Sequence, residues 1–438
     1  MEQSARPARG AGGNVLATLA AAGESLRDPH FRTYWTSNAL FFIGQGLVLL
    51  GAQWLMLTLT DSRLLLGAIG GIQGGVVFLL SPVAGVMADR MARRNLLIWG
   101  RLGFTVVLVV IGLLVVTDAV RWWHLLLASG VSSIFLALSQ PATQTYVYDL
   151  VGRERLTNAI ALNSMTTGVF LIAGPSMGGA LVATIGPEGT YFAGGVGYFV
   201  GALLLLTIPV PGKTASAPRR SSFAHDIAEG VRYLRRDPLL PWFFLAVGIT
   251  FFCSAITTLR PVFAKEILMV GPVGLGWMGA TFGAGALLSS LLVAAVGGQL
   301  KLKGLVMLLS CLGWCIGKVI YSQSHWFPLN LGLEFGMGMV PAFYVASAMT
   351  ILQVRVPEHL RSRVVAVYFM ILQFSQMNGL TAGLLADHLG DRMTLLLMGC
   401  IPGSIIVLVL VLARKLVLLG SQRYPLVPYD QAAISGAA

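Results

Sequence analysis

The chain has 438 residues, 56% of them apolar and only 11% charged, with mean hydropathy +0.77 and a formal net charge of +12. Soluble domains carry roughly 25% charged residues, so this composition excludes an ordinary globular domain. A basic balance can mark a nucleic-acid binder, but here the cations lie between apolar runs of bilayer-crossing length. No nucleic-acid partner and no cofactor are expected; membrane lipids are.

Residues 1–30 read as a polar, basic tail without the apolar core or cleavage site of a signal peptide. Twelve apolar segments follow, near 32–58, 64–87, 95–117, 122–149, 158–184, 190–210, 238–267, 273–296, 304–322, 327–353, 361–385 and 393–413. Each is close to the roughly 20 residues that span a bilayer as a helix. The runs are continuously apolar, without the alternation of barrel strands, so the expected class is an all-α membrane protein. With the N-terminus inside, 24 of the 30 Lys and Arg residues fall on the inner side. That asymmetry predicts both termini in the cytoplasm.

The longest interruption, 211–237, reads as a linker ending in a basic amphipathic stretch, Phe223 to Arg236, that lies on the membrane surface. It divides the chain into two six-helix halves, 31–210 and 238–413, followed by a second cytoplasmic tail, 414–438. The halves show a weak internal repeat. Gly67 in Leu65-Leu-Gly-Ala-Ile-Gly-Gly71 aligns with Gly276 in Gly274-Leu-Gly-Trp-Met-Gly-Ala280, 209 residues apart, and Gly179 aligns with Gly383, 204 apart. Parallel repeats of this kind predict a substrate site near the midplane, between the halves.

Polar side chains inside apolar helices are functional-site candidates. Segment 1 carries Asn38, Gln45 and Gln53, and segment 4 carries Ser133, Gln140, Gln144 and Tyr148 at helical spacing. Segment 7 carries Thr257, Thr258 and Arg260, and segment 10 carries Asn330, Glu334 and Tyr344. Interhelical hydrogen bonding is the competing reading for each amide. A buried charge costs roughly 2.5–3.5 kcal/mol on insertion scales, so Glu334 needs a partner. Two arrangements are open: a structural pair with Lys318, or a place in the cavity near Arg260, where Glu334 would be the proton carrier or the contact for a cationic substrate.

Cys311 and Cys315 share a helix face, but no His or acid cluster joins them, so they read as small buried apolar residues like Cys253 and Cys400. The string Gly274-Leu-Gly276-Trp-Met-Gly279 matches a dinucleotide fingerprint but opens an apolar helix with no preceding strand, so it reads as helix packing. The six histidines lie at helix ends or loops, and no convergent catalytic set appears; an enzyme is not expected.

Between segments 2 and 3 stands Gly85-Val-Met-Ala-Asp89-Arg90-Met-Ala-Arg93-Arg94. It resembles the loop between helices 2 and 3 of the major facilitator superfamily, with Met87 and Ala92 replacing the usual leucine and glycine. In segment 5, Gly174-Pro175-Ser-Met-Gly178-Gly179 resembles the helix 5 motif of that superfamily's drug exporters. The flanking strings Asp28-Pro-His-Phe31-Arg32, Leu59-Thr-Asp-Ser62, Leu150-Val-Gly-Arg-Glu-Arg-Leu-Thr-Asn158-Ala159, Leu234-Arg-Arg-Asp237-Pro238 and Val356-Pro-Glu-His-Leu-Arg-Ser-Arg363-Val364 resemble the branch of enterobactin exporters and macrolide efflux proteins.

The resemblance implies a monomeric twelve-helix secondary transporter with two pseudo-symmetric bundles and a cavity lined by helices 1, 4, 7 and 10. It implies proton-driven efflux of an amphipathic small molecule, such as a drug, macrolide or siderophore. Lysophospholipid flipping or metabolite uptake is the alternative on the same fold. It also implies a cytoplasmic gate of Gly85, Asp89, Arg90, Arg93 and Arg94 with Asp149, closing against Arg361. Segment 1 has no embedded acid and segment 4 no arginine, so the proton path of the better-known drug exporters does not carry over.

Overall fold

A computed structural model describes residues 25–212, 229, 232–234, 237–249, 255–297, 300–375 and 377–420. The described residues are helical, without strands. In chain order the helices are α1 (Pro29–Thr60), α2 (Arg63–Arg90), α3 (Arg93–Val116), α4 (Trp122–Thr184), α5 (Pro187–Leu206), α6 (Leu240–Ile249) and α7 (Ala255–Val262). After a π-helical turn at Phe263–Ile267 come α8 (Gly271–Val296), α9 (Lys303–Gln323), α10 (Phe327–Arg355), α11 (Glu358–Ser375), α12 (Asn378–Leu389), α13 (Asp391–Leu412) and α14 (Arg414–Val417). Among the described residues, nine helices are long and apolar enough to cross a membrane, and shorter apolar helices cover Gly168–Thr184, Leu240–Ile249 and Arg363–Leu372.

Local chemistry sets the ends. Asp28 caps α1, accepting from the amides of His30 at 2.8 Å and Phe31 at 3.1 Å, with Pro29 in the first turn. Ser62 caps α2 through the Leu65 amide. The stretch labelled α4 is two helices that meet at Gly152, as the two expected segments there had it; its φ of +69° is not helical and suits a residue without Cβ. Of the expected seventh segment α6 and α7 are described, with 250–254 outside the described residues, and the eleventh is described as α11 and α12, with a turn at Met377.

The amphipathic stretch Phe223 to Arg236 lies mostly outside the described residues. Its described Tyr233 is buried in the apolar core of the C-terminal half rather than on the surface. The expected C-terminal tail likewise begins with a docked turn, in which Leu416 is buried and its carbonyl lies against Gly304.

Helices α1–α5 pack on one another, as do α8, α9, α10 and α13. Two long crossings join the halves, α4 on α8 and α2 on α12. One face of the molecule carries the turns near 61–62, 185–186, 268–270 and 390. The other, here the basic face, carries Arg93, Arg94, Arg355, Arg361 and Arg363.

Candidate functional site

The joint between the halves is built first by glycine. A Cβ at Gly67 of α2 would stand 1.9 Å from the carbonyl oxygen of Gly379 in α12, and one at Gly383 would stand 2.2 Å from that of Arg63. At the second crossing, a Cβ at Gly179 of α4 would lie 2.5 Å from the Pro272 carbonyl and 3.0 Å from the Cα of Gly276 in α8. The four repeat glycines therefore sit at the two equivalent crossings. Backbones approach this closely only where side chains are missing.

Charge completes the joint on the face of residues 61–62. Arg63 pairs with Glu266, reaches Asp391 at 3.3 Å and donates to the Asp61 carbonyl at 2.6 Å. Lys265 bonds the Asp61 carboxylate at 2.7 Å and the Leu57 carbonyl at 2.8 Å. From the opposite half, Asp387 accepts from the backbone amides of Arg63 at 3.0 Å and Leu64 at 3.1 Å. These are free donors at the start of α2, where a helix favours negative charge. None of these six side chains stood out in the sequence. The signal was available: Arg63 and Lys265 are two of only six cations outside the basic set, and acids flank them.

Arg260 and Glu334 come together within the C-terminal half. Arg260 Nε donates to Oε1 at 2.7 Å and Nη2 to Oε2 at 2.8 Å, a bidentate pair, with the guanidinium 5.4 Å from the Phe282 ring centre. The Glu334 side chain is fully buried. Tyr321, also buried, lies beside the carboxylate. Lys318 donates to the Met398 carbonyl; the carboxylate of Glu334 takes Arg260 as its two-point partner, and neither described cavity is lined by Glu334.

The other candidates separate. Gln45 lines a cavity of about 300 Å³ within the N-terminal half. Asn38 donates to Asn163 Oδ1 at 2.7 Å, and Gln53 donates across the halves to the Thr257 carbonyl at 3.2 Å. Gln140 and Tyr148 are exposed on α4, whereas Tyr344 is buried in the C-terminal core. Gly174 and Gly178 face α1, where a Cβ on Gly174 would stand 2.9 Å from Gly46 Cα, while neighbouring Gly179 faces α8.

On the basic face Arg93 binds Asp149 at 2.8 Å and Arg94 donates to the Ile208 carbonyl. Arg361 is half-buried in α11. The side chains of Asp89, Arg90 and Gln144, and the surroundings of Gly85, lie outside the described residues, as does Cys253; Cys311 and Cys315 are buried in the C-terminal half.

Long apolar helices lie in two bundles joined by paired glycine crossings. The transmembrane secretion effector family, part of the major facilitator superfamily, matches residues 20–432. The chain belongs to that family. It is 27% identical over 343 residues to the enterobactin exporter EntS of Shigella boydii, covering 77% of this chain and 80% of that one. It is 24% identical over 339 residues to the uncharacterized MFS-type transporter YfiS of Bacillus subtilis, covering 74% and 79%.

Among solved structures, the nucleoside transporter NupG superposes with TM-score 0.74 at 13% identity, covering 87% of this chain and 99% of that one. A bacterial homologue of the human lysosomal transporter Spinster, in an inward-facing, unoccupied conformation, gives 0.68 at 16% identity, covering 90% and 98%. At such identities the likeness is one of fold. The chain is a multi-pass membrane transporter, not an enzyme.

Proposed function

We propose that this protein exports an amphipathic small molecule by proton-coupled alternating access, with its basic face and both termini in the cytoplasm. The observation that carries the reading is the one-sided joint. The glycine crossings and every described ion pair between the halves gather on the face of Asp61 and Asp387, which the charge asymmetry assigns to the outside. Such a chain is closed outward and poised to take substrate from the cytoplasm or inner leaflet. The relative that exports enterobactin favours the outward direction.

In this reading Glu334 is the coupling carboxyl. Its proton uptake would release Arg260 and loosen the side-chain link from α7 to α10, and α7 is also the helix that Gln53 grips from the other half. Asp89 and Arg361 would close the cytoplasmic gate in the alternate state. The test uses everted vesicles of the full-length protein with a dye panel under an imposed proton gradient. Gradient-driven accumulation in everted vesicles is expected, strongly reduced in Glu334→Gln at equal expression. Accumulation in right-side-out vesicles instead would overturn export, and wild-type rates in Glu334→Gln would remove it from the coupling path.

A further inference from the structure

The cavity of about 300 Å³ lies wholly inside the N-terminal half. Helices α1 to α5 supply every lining residue, and the C-terminal half supplies none. Its walls are mainly aromatic and aliphatic, including Phe42, Phe104 and Phe170, and they contain no acid, lysine, arginine or histidine. Two side-chain amides, Gln45 and Gln73, line it, and no hydrogen bond among the described residues engages either. A charged guest would lose its hydration with no counter-charge in return, a cost far above that of a neutral one. Free amides on apolar walls instead suit a guest with aromatic surface and a few hydrogen-bonding groups.

The cavity also touches the joint. Pro175 lines it, and a Cβ at Gly279 of α8 would stand 2.6 Å from the Pro175 ring, while Gly276 would meet the Pro175 carbonyl at 2.8 Å. On the same wall Gly46 packs on Gly174, with 2.8 Å from an added Cβ to Cα. One side of the cavity is therefore the α4–α8 crossing itself. Separating the halves on that side moves Pro175 off α8 and loosens the wall around the guest.

We infer that this cavity, within one half rather than between the two, is the binding site for the transported molecule. Its guest is an uncharged, compact aromatic amphipath rather than a macrocycle, because the volume lies at the lower end of the ligand-site range of roughly 300–1,000 Å³. The inference rests on the transport reading above. It adds the site, the charge class and the size, and it makes Gln73, which the polar-residue pattern passed over, a second recognition residue beside Gln45. Substrate release is then driven by loss of the α8 support behind Pro175, not by splitting the site in two.

The test is equilibrium binding to full-length protein in detergent, with chloramphenicol and two other neutral nitroaromatics as probes, and ethidium and salicylate as charged competitors. Ala128→Trp fills the cavity, and the Gln45→Ala/Gln73→Ala double variant removes both amides without adding bulk. Ala346→Trp, in a separate cavity of the C-terminal half lined also by Lys303 and Phe343, is the control.

Saturable binding of a neutral probe is expected, weakened about tenfold or more in Ala128→Trp and in the double variant. Ala346→Trp should match wild type, and neither charged compound should compete. Three results would overturn the inference: no saturable neutral binding, affinity retained in the double variant, or displacement by ethidium or salicylate. Should Ala128→Trp fail to fold, the double variant decides alone. The two readings fail separately. Gradient-driven transport without neutral binding sinks this cavity and leaves the exporter, whereas binding at the cavity without gradient-driven movement does the reverse.

Discussion

The two faces of the molecule hold charge in different ways. On the outward-assigned face the pairs cross between halves and stay partly wet: the Arg63 and Glu266 side chains are 20% and 35% exposed, and Asp61 is 70% exposed. On the basic face the pair of Arg355 with Asp237 belongs to one half, with exposures of 2% and 0%. Exposed pairs are worth roughly 0–1 kcal/mol each and are screened by salt. Breaking a buried one costs roughly 3–5 kcal/mol, because an uncompensated charge is left behind. The C-terminal half is thus locked internally by a pair costly to open, whereas the two halves are joined to each other by pairs that cost little to open.

The largest expected effect tests the internal lock. Arg355→Ala strands Asp237, which otherwise binds Arg355 Nε at 2.8 Å and caps the chain at the Leu239 amide. The loss should be about 3–5 kcal/mol, read as a large drop in the melting temperature of the solubilised protein. Arg355→Ala/Asp237→Ala, which removes both charges, should recover much of it. A wild-type melting temperature in the single variant would erase the contrast between the faces.

Next is the joint. Gly383→Ala sets a methyl 2.2 Å from the Arg63 carbonyl oxygen, and the nearest obstacles are backbone atoms that cannot rotate away. Overpacking of this kind costs about 1–3 kcal/mol, and here only a state with this crossing closed bears it. The halves should remain folded while the population shifts toward opening on that face. Spin-label distances across the α2–α12 crossing would lengthen, and unchanged distances would mean that the crossing does not hold the state.

Arg63→Ala should act in the same direction but more weakly, by about 1 kcal/mol. Raising salt should mimic it in wild type and add little in the variant. An equal salt response in both would remove Arg63 as the centre of the charged joint.

How much of this was legible follows from what each feature depends on. Apolar run length and cation asymmetry are local properties, so the helical class and the order of most elements could be read directly. The break in α4 at Gly152 falls between the two segments read there, although helix extends further into the polar stretch than apolar run length indicates. The Arg260–Glu334 pair was half legible: each charge announced its need for a partner, but only the fold, which brings Arg260 of α7 within 2.7 Å of Glu334 on α10, supplies it. The repeat glycines were visible as a pattern, but their meaning was not, since none meets its own repeat mate: Gly179 meets Gly276, Gly67 meets Gly379, and Gly383 meets the Arg63 backbone. The charged joint was invisible because its members lie more than 200 residues apart, and exposed Asp and Arg at helix ends look like ordinary turn residues. Gln73 escaped because a lone amide among glycines carries no helical stripe.

The smallest expected effect concerns Asp61 and separates the charged joint from the coupling step. The hydrogen bond from Lys265, followed by its positive charge, holds the Asp61 carboxyl below its ordinary value of 3.8. A lowered pKa means that the carboxylate's contribution is complete at neutral pH, already present just above the ordinary value, and lost only as pH falls through the lowered one. Between pH 5 and 8 Asp61 therefore stays ionised, and its grip on Lys265 does not change. Asp61→Asn should leave the pH profile of transport in that range the same as wild type, while removing a loosening of the joint seen below about pH 4. A profile that moves between pH 5 and 8 in Asp61→Asn would place a working proton site in the joint. With the profile unmoved, this wet pair is a latch without a proton sensor, and coupling is left to a carboxyl inside the bundle such as Glu334, which Arg260 grips by both oxygens.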